Sequence, residues 1–202
     1  MIMLKDLVQG SDEWIKEKLG KPSASCASQI ITSQGKPSKQ REGYLYTLAA
    51  EAVTGQRAET YKNEAMQEGN DREQESRDFY SMAKDAEIEQ VGVIYKDEKR
   101  QFLCSPDGIC NGEYGLELKN VLPKTQVKYL LSEKLPPEYF VQVQFSMFVT
   151  GFKRWDFCSY SPGLRPLIVT AAPDAEFIIK LQVELNSFLV TLSNVIKKIK
   201  GE

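Results

Sequence analysis

The spacing of apolar residues changes character near residue 86. Before it, apolar positions recur at helical intervals. Residues 11–19, SDEWIKEKL, predict a helix: Ser11 stands where a cap is wanted, acids open the first turn and Gly20 closes it. SASCASQIIT offers a second helix start after Ser23 or Ser25. SKQREGYLYTLAAEAVTG (38–55) predicts a long helix ending at Gly55, and YKNEAMQEGNDREQESRDFYSMAK (61–84) a polar one. Beyond that point runs of β-branched and aromatic residues predict strands at 88–95, 101–105, 114–120, 154–160 and 166–172. Two helices are expected among them, at 124–133 and, after a Pro-Pro pair, at 137–150. A last amphipathic helix, 174–199, ends in KKIK. Helices, then strands, then a helical insertion and further strands predict an α/β (α+β) core with a mixed sheet. The whole of 1–202 reads as one unit: a helical region over residues 1–85, a sheet-rich core over 86–172 and a C-terminal helix over 173–202, without repeats or low-complexity linkers.

Composition narrows the chemistry. With 202 residues, 42% hydrophobic and 27% charged, the chain is long enough to bury a core. No apolar run approaches ~20 residues, so no membrane span is expected. MIMLKDLVQGSDEW has no basic region followed by an apolar stretch, so no signal peptide is expected either. The four cysteines, Cys26, Cys104, Cys110 and Cys158, form no CxxC pair and fit a reducing cytosol. Histidine is absent, which excludes Ser-His-Asp and Cys-His catalysis, HExxH zinc sites and His-based metal-finger nucleases. An enzyme of this composition must work with carboxylates, lysine and hard metal ions. A net charge of -2 argues against a molecule coated in positive charge, though not against a local basic groove. KPSKQR (36–41), Lys124, Lys128, Lys134 and Lys153-Arg154 are candidates for one, each singly better read as solvated surface charge.

One stretch concentrates chemistry: CSPDGICNGEYGLELKN, 104–120. On a strand, Leu116 and Leu118 share one face while Glu117 and Lys119 share the other. Asp107 sits in a Pro-Asp-Gly corner ten positions before Glu117. If the flanking strands pair through GICNGEYG, the two carboxylates converge beside the Lys119 ammonium. Mg²⁺ takes oxygen ligands of this kind, usually one or two carboxylates plus phosphate and water. The bare Glu-x-Lys pattern carries little weight, because 28 acids and 26 bases in 202 residues give about four acid-x-base tripeptides by chance. A Glu/Lys pair on a wet strand face is also a common solubility device. The Pro-Asp-Gly corner is what raises the odds.

SPDG…LELK resembles the PD-(D/E)xK nuclease motif, and the chain is similar to the lambda exonuclease family, the YqaJ-type viral recombinases. Five segments match in order: QGSDEWIKEKLGKPSAS (9–25), TLAAEAVTG (47–55), EGNDREQESRDFY (68–80), the SPDG…LELK motif and YFVQVQFSMFVTG (139–151). The resemblance implies a restriction-endonuclease-like core, a central mixed β-sheet flanked by helices. It makes Asp107 and Glu117 metal ligands, with the backbone carbonyl of Leu118 assisting. Glu73 becomes the helix-borne acid that completes the site, Lys119 the catalytic lysine, and Gln142 a residue beside them. Gly69, four before Glu73, would let that helix face approach the sheet. From spacing alone Glu73, Gln142 and Gln144 would be read as surface residues. Three convergent carboxylates repel, about 4 kcal/mol per pair at ~4 Å and an effective dielectric near 20. Dependence on Mg²⁺, with Mn²⁺ as a substitute, and loss of activity towards acid pH are therefore expected.

The family holds the 5′-phosphate of DNA with an arginine and a serine, which map onto Lys18 and Ser25. Ser25 stands near an expected helix N-terminus, where free N–H groups favour phosphate. Lys18 departs from the family pattern and lacks arginine's fork. Asn120-Val121 departs from the usual Cys-Pro. The resemblance implies a 5′-to-3′ exonuclease on linear double-stranded DNA that leaves 3′ overhangs for annealing. It also implies a homotrimeric ring around DNA, a single-strand annealing protein as partner, no membrane, and a phage or prophage protein of the bacterial cytoplasm. An endonuclease or junction-cleaving enzyme of the same fold, and a non-catalytic DNA-end-binding subunit, are the alternatives. Intact Asp107, Glu117 and Lys119 speak against the last.

Overall fold

The fold is described from a computed structural model, over residues 1–57 and 72–202. Of the expected helix at 61–84, Glu73–Lys84 is helical, and its first part, with Gly69, lies outside the described residues.

A mixed sheet of five strands carries the molecule. Its order is β2 (Ile88–Glu89), β5 (Gly108–Cys110), β6 (Tyr114–Asn120), β7 (Trp155–Tyr160) and β8 (Leu167–Ala171). Neighbours are antiparallel except β6 and β7, which run parallel. A parallel return needs a long crossover. Here it runs through α4 (Pro123–Ser132) and α5 (Pro137–Thr150). A second sheet of three strands, in the order β1 (Ile2–Leu4), β3 (Val93–Tyr95), β4 (Leu103–Cys104), stands beside it.

The two faces of the large sheet are covered differently. Glu117, Lys119, Trp155 and Phe157 share one face, which meets α4 and α5. Beyond α5 lie α2 (Arg41–Thr54) and the long α6 (Ala175–Lys200). Phe145, Val149, Phe177, Leu181 and Phe188 form the main core there. Fully burying such side chains contributes about 1.5–3 kcal/mol each. The opposite face, with Leu116, Leu118 and Cys158, packs against Tyr80 of α3 (Glu73–Lys84). A polar network ties α3 to this face: Tyr80 Oη donates to the buried Asp156 at 2.5 Å, and Arg154 pairs with Asp156 while stacking 3.8 Å over Tyr114. The Lys153-Arg154 pair therefore does not offer two free cations.

Several expected elements are redrawn. The predicted strand 88–95 is two strands in different sheets, divided around Gly92. The Leu7 carbonyl oxygen lies 2.0 Å from where a Cβ on Gly92 would stand, so only glycine lets the N-terminal segment cross here. The strand expected at 101–105 shortens to Leu103–Cys104, because Pro106 has no N–H to continue a ladder. The expected pairing of 101–105 with 114–120 does not form: β4 pairs with β3, and the gap expected as turn holds β5, which closes a hairpin with β6 through residues 111–113, Asn111 and Gly112 having positive φ. The region expected to be purely helical contributes β1. The second helix is a short 3₁₀ turn, Ala24–Gln29, with Ser23 at its N-cap making no side-chain cap bond. Ser25 lies inside that turn and caps nothing. The cysteines of the described residues are all free thiols, and no helix there is long and apolar enough to cross a membrane.

Candidate active site

The β5–β6 register brings the expected carboxylates together. Gly108 pairs with Leu116, so Asp107 stands across from Glu117. Asp107 N–H donates to the Leu116 carbonyl at 3.1 Å, and Asp107 Oδ2 accepts from Leu118 N–H at 2.6 Å. These two bonds fix the corner to the strand at backbone and side chain. The two-residue period puts the Leu118 carbonyl on the same strand edge as that of Leu116.

Lys119 projects between the acids. Its ammonium pairs closely with Glu117 and lies 3.9 Å from Asp107 Oδ2. Glu117 is only 3% exposed, so it is no solubility device on a wet face. Gln142 of α5 donates to Glu117 Oε1 at 2.5 Å. Burial raises the Glu117 carboxyl to about 7; Lys119 works against the rise and Asp107 adds to it. Burial also works against the Lys119 ammonium, but Glu117 and Asp107 outweigh it and hold the lysine above its usual value.

Glu73 opens α3 near this cluster and is partly engaged elsewhere. Arg77, one turn on, pairs with Glu73 Oε1, donates to Gln74 Oε1 at 2.9 Å and reaches the Asp107 carbonyl at 3.4 Å. Burial and then Asp107 raise the Glu73 carboxyl. The donor set suits a hard divalent cation: carboxylate oxygens and a carbonyl edge, with no imidazole. Among the described residues, however, no three acids or thiols converge closely enough to enclose a metal ion as they stand. Lys119 and Arg77 hold these carboxylates as they stand.

Lys18 and Ser25 meet in a separate cleft of about 220 Å³, lined also by Trp14, Ser23, Tyr44 and Arg57. Lys18 Nζ lies 3.7 Å over the Trp14 ring. Ser23 and Ser25 exchange a hydroxyl bond at 3.3 Å. Ser23 on the cleft lining bridges to Leu103, on the strand that leads to Asp107, and the Glu117 charge acts on Lys18.

Two residues that sequence reasoning left without a role hold this corner in place. Gln9 Nε2 donates to the carbonyls of Val91 and Pro106, each at 2.9 Å. Trp14 Nε1 donates to the Gly92 carbonyl at 2.9 Å and to Ser105 Oγ at 3.2 Å. The QG…EW segment is thus a clamp on Ser105-Pro106, next to Asp107; its place in a matched segment was the one available signal. Gln144, which spacing alone reads as a surface residue, is buried. It donates to the Ala172 carbonyl and accepts from Asp174 N–H, fixing the start of α6.

Comparisons with known proteins agree with this architecture. An alkaline exonuclease of Laribacter hongkongensis, LHK-Exo, superposes with a TM-score of 0.85 at 28% identity, over 94% of this chain and 96% of that one. The same protein in complex with dAMP matches equally. A phage-related exonuclease from Haemophilus somnus shares the fold, with a TM-score of 0.68 at 13% identity over 89% and 96% of the two chains. A protein of Acanthamoeba polyphaga mimivirus is 26% identical over 162 residues, which are 74% of this chain but only 28% of the relative's length. The model of the YqaJ-like viral recombinase domain matches residues 13–153, and the chain belongs to that family.

Proposed function

We propose that the chain is a metal-dependent exonuclease that removes nucleotides from the 5′-ended strand of linear double-stranded DNA, leaving a 3′ single strand for recombination by annealing. The observation that carries this reading is the convergence of Asp107, Glu117 and Lys119 at one hairpin corner beside a cationic cleft. The likeness to an alkaline exonuclease, including its complex with a mononucleotide, supports it.

Asp107, Glu117 and the Leu118 carbonyl would hold Mg²⁺ or Mn²⁺, with Glu73 joining on release from Arg77. The ion would lower the pKa of a bound water and offset charge developing on the phosphodiester. Lys119, a protonated ammonium in this arrangement, contributes positive charge aimed at the same space. Gln142 fixes the rotamer of Glu117 through its amide. Lys18 and Ser25 would hold the terminal 5′-phosphate, setting the scissile bond by distance from the end. Ser25 serves here as an exposed hydroxyl rather than as a helix cap. A homotrimeric ring with a basic channel would reconcile DNA binding with a net charge of -2. A single-strand annealing protein as partner, and the cytoplasm of a bacterium carrying the phage or prophage, complete the reading.

The test is digestion of end-labelled linear duplex with Mg²⁺. Mononucleotides released from the 5′-ended strand, and none from closed circular duplex, would support the reading. Equal cutting of circles would replace it with an endonuclease.

A further inference from the structure

Among the described residues three cations line the cleft, and only Lys18 was expected there. The second is Arg57, three residues past the end of α2. The third, Lys21, is already committed: its ammonium donates to the Glu17 carbonyl at 2.6 Å and to Tyr95 Oη at 2.8 Å. Glu51, a carboxylate on the lining, accepts Gly20 N–H at 3.1 Å. Among the described residues, neither Lys18 nor Arg57 has a carboxylate within ion-pair distance. Two like charges facing one small cleft repel, and an anion placed between them reverses the sign of that interaction.

The two side chains are chemically different. Lys18, seated on the Trp14 ring, presents a point charge. Arg57 presents a planar fork that binds phosphate oxygens in pairs. A terminal 5′-phosphate carries nearly two charges at neutral pH, whereas an internal phosphodiester carries one. Two cations and the exposed Ser25 hydroxyl match the former better.

We propose that Arg57 is a specificity-determining residue of this cleft, supplying the phosphate fork that Lys18 lacks and selecting a dianionic 5′-phosphate over a 5′-hydroxyl end. The proposal rests on the terminal-phosphate reading of the cleft. Its consequence is strongest in alkali. Burial brings the Lys18 ammonium down to about 8; Arg57 adds to that, while Cys26, Cys104 and Glu117 work against it, so the empty cleft loses the lysine's charge in alkali. Arg57 then carries the recognition alone.

The experiment measures initial digestion rates of 5′-phosphorylated and 5′-hydroxyl linear duplexes with Mg²⁺, and takes their ratio at about pH 7 and about pH 9. Wild type is compared with Arg57→Gln, Arg57→Lys and Lys18→Ala. Arg57 is exposed beyond a helix end, so its substitution leaves the core untouched. Arg57→Gln should lower the phosphate-to-hydroxyl ratio about 10-fold near neutrality, as for one charge-assisted bond, and further at alkaline pH. Arg57→Lys should restore part of the ratio near neutrality. A wild-type ratio in Arg57→Gln at both pH values, with Lys18→Ala impaired, would overturn the role of Arg57 and keep the cleft. No preference in wild type itself would overturn the cleft and Arg57 together.

Discussion

The carboxylate cluster and the cationic cleft lie side by side but are assembled in opposite ways. The cluster takes its three central groups from one hairpin, over 13 residues, with backbone bonds setting the register. The cleft takes Lys18 from α1 (Asp12–Lys18), Ser25 from a 3₁₀ turn and Arg57 from beyond α2. In the cluster, opposite charges neutralise one another and the groups are tied down. In the cleft, Lys18 and Arg57 share one lining with no carboxylate of the described residues within ion-pair distance. The first arrangement is suited to pre-organised chemistry, the second to capture of an anion.

That contrast is sharpened first by Asp107→Asn. The amide keeps an acceptor for Leu118 N–H but removes the charge, so digestion should fall about 10³-fold or more while DNA binding persists. An effect below 10-fold would remove Asp107 from the hydrolytic centre. Next comes the scaffold. A Cβ on Gly115 would stand 2.3 Å from the buried Trp155 ring, so Gly115→Ala should destabilise by about 3 kcal/mol, read by denaturant or thermal unfolding. An unchanged midpoint would show that Trp155 yields easily and that the hairpin is less rigid than described. Gln142→Leu should lower the rate about 10-fold, the cost of one bond to a charged group, leaving the phosphate-to-hydroxyl ratio intact. A change in that ratio instead would merge the two regions.

The smallest effect concerns pH. The folded Glu117 keeps its proton up to about 7, while the unfolded chain ionises it from 4.5. Charging it therefore costs the folded state stability as pH rises through that window. A divalent ion held by Glu117 would compete with that proton. The thermal midpoint should accordingly rise more with Mg²⁺ at about pH 8 than at about pH 6. An equal rise at both would separate Glu117 from the metal.

The same contrast explains what the sequence disclosed. The cluster was legible because strand alternation and a Pro-Asp-Gly corner are local signals that determine which side chains meet. The α/β class and the helices at 38–55, 137–150 and 174–199 followed from spacing for the same reason. Short strands were not legible. β1 and β5 are three residues each, and the division of 88–95 depends on the Leu7 backbone crossing at Gly92. The burial of Glu117 and Gln144 was hidden too, because polar residues on strand and helix faces ordinarily read as surface. Arg57 carries no spacing signal at all; only the tertiary packing of three separate elements brings it to Lys18.

The central claim is that the hairpin cluster hydrolyses DNA from an end. It is tested most directly with a 5′-phosphorylated linear duplex and Mg²⁺, comparing wild type, wild type in EDTA, and Asp107→Asn. Mononucleotides from the 5′-ended strand with wild type alone, while Asp107→Asn still binds the duplex, is the outcome expected. Digestion by Asp107→Asn at the wild-type rate, or undiminished digestion in EDTA, would contradict it.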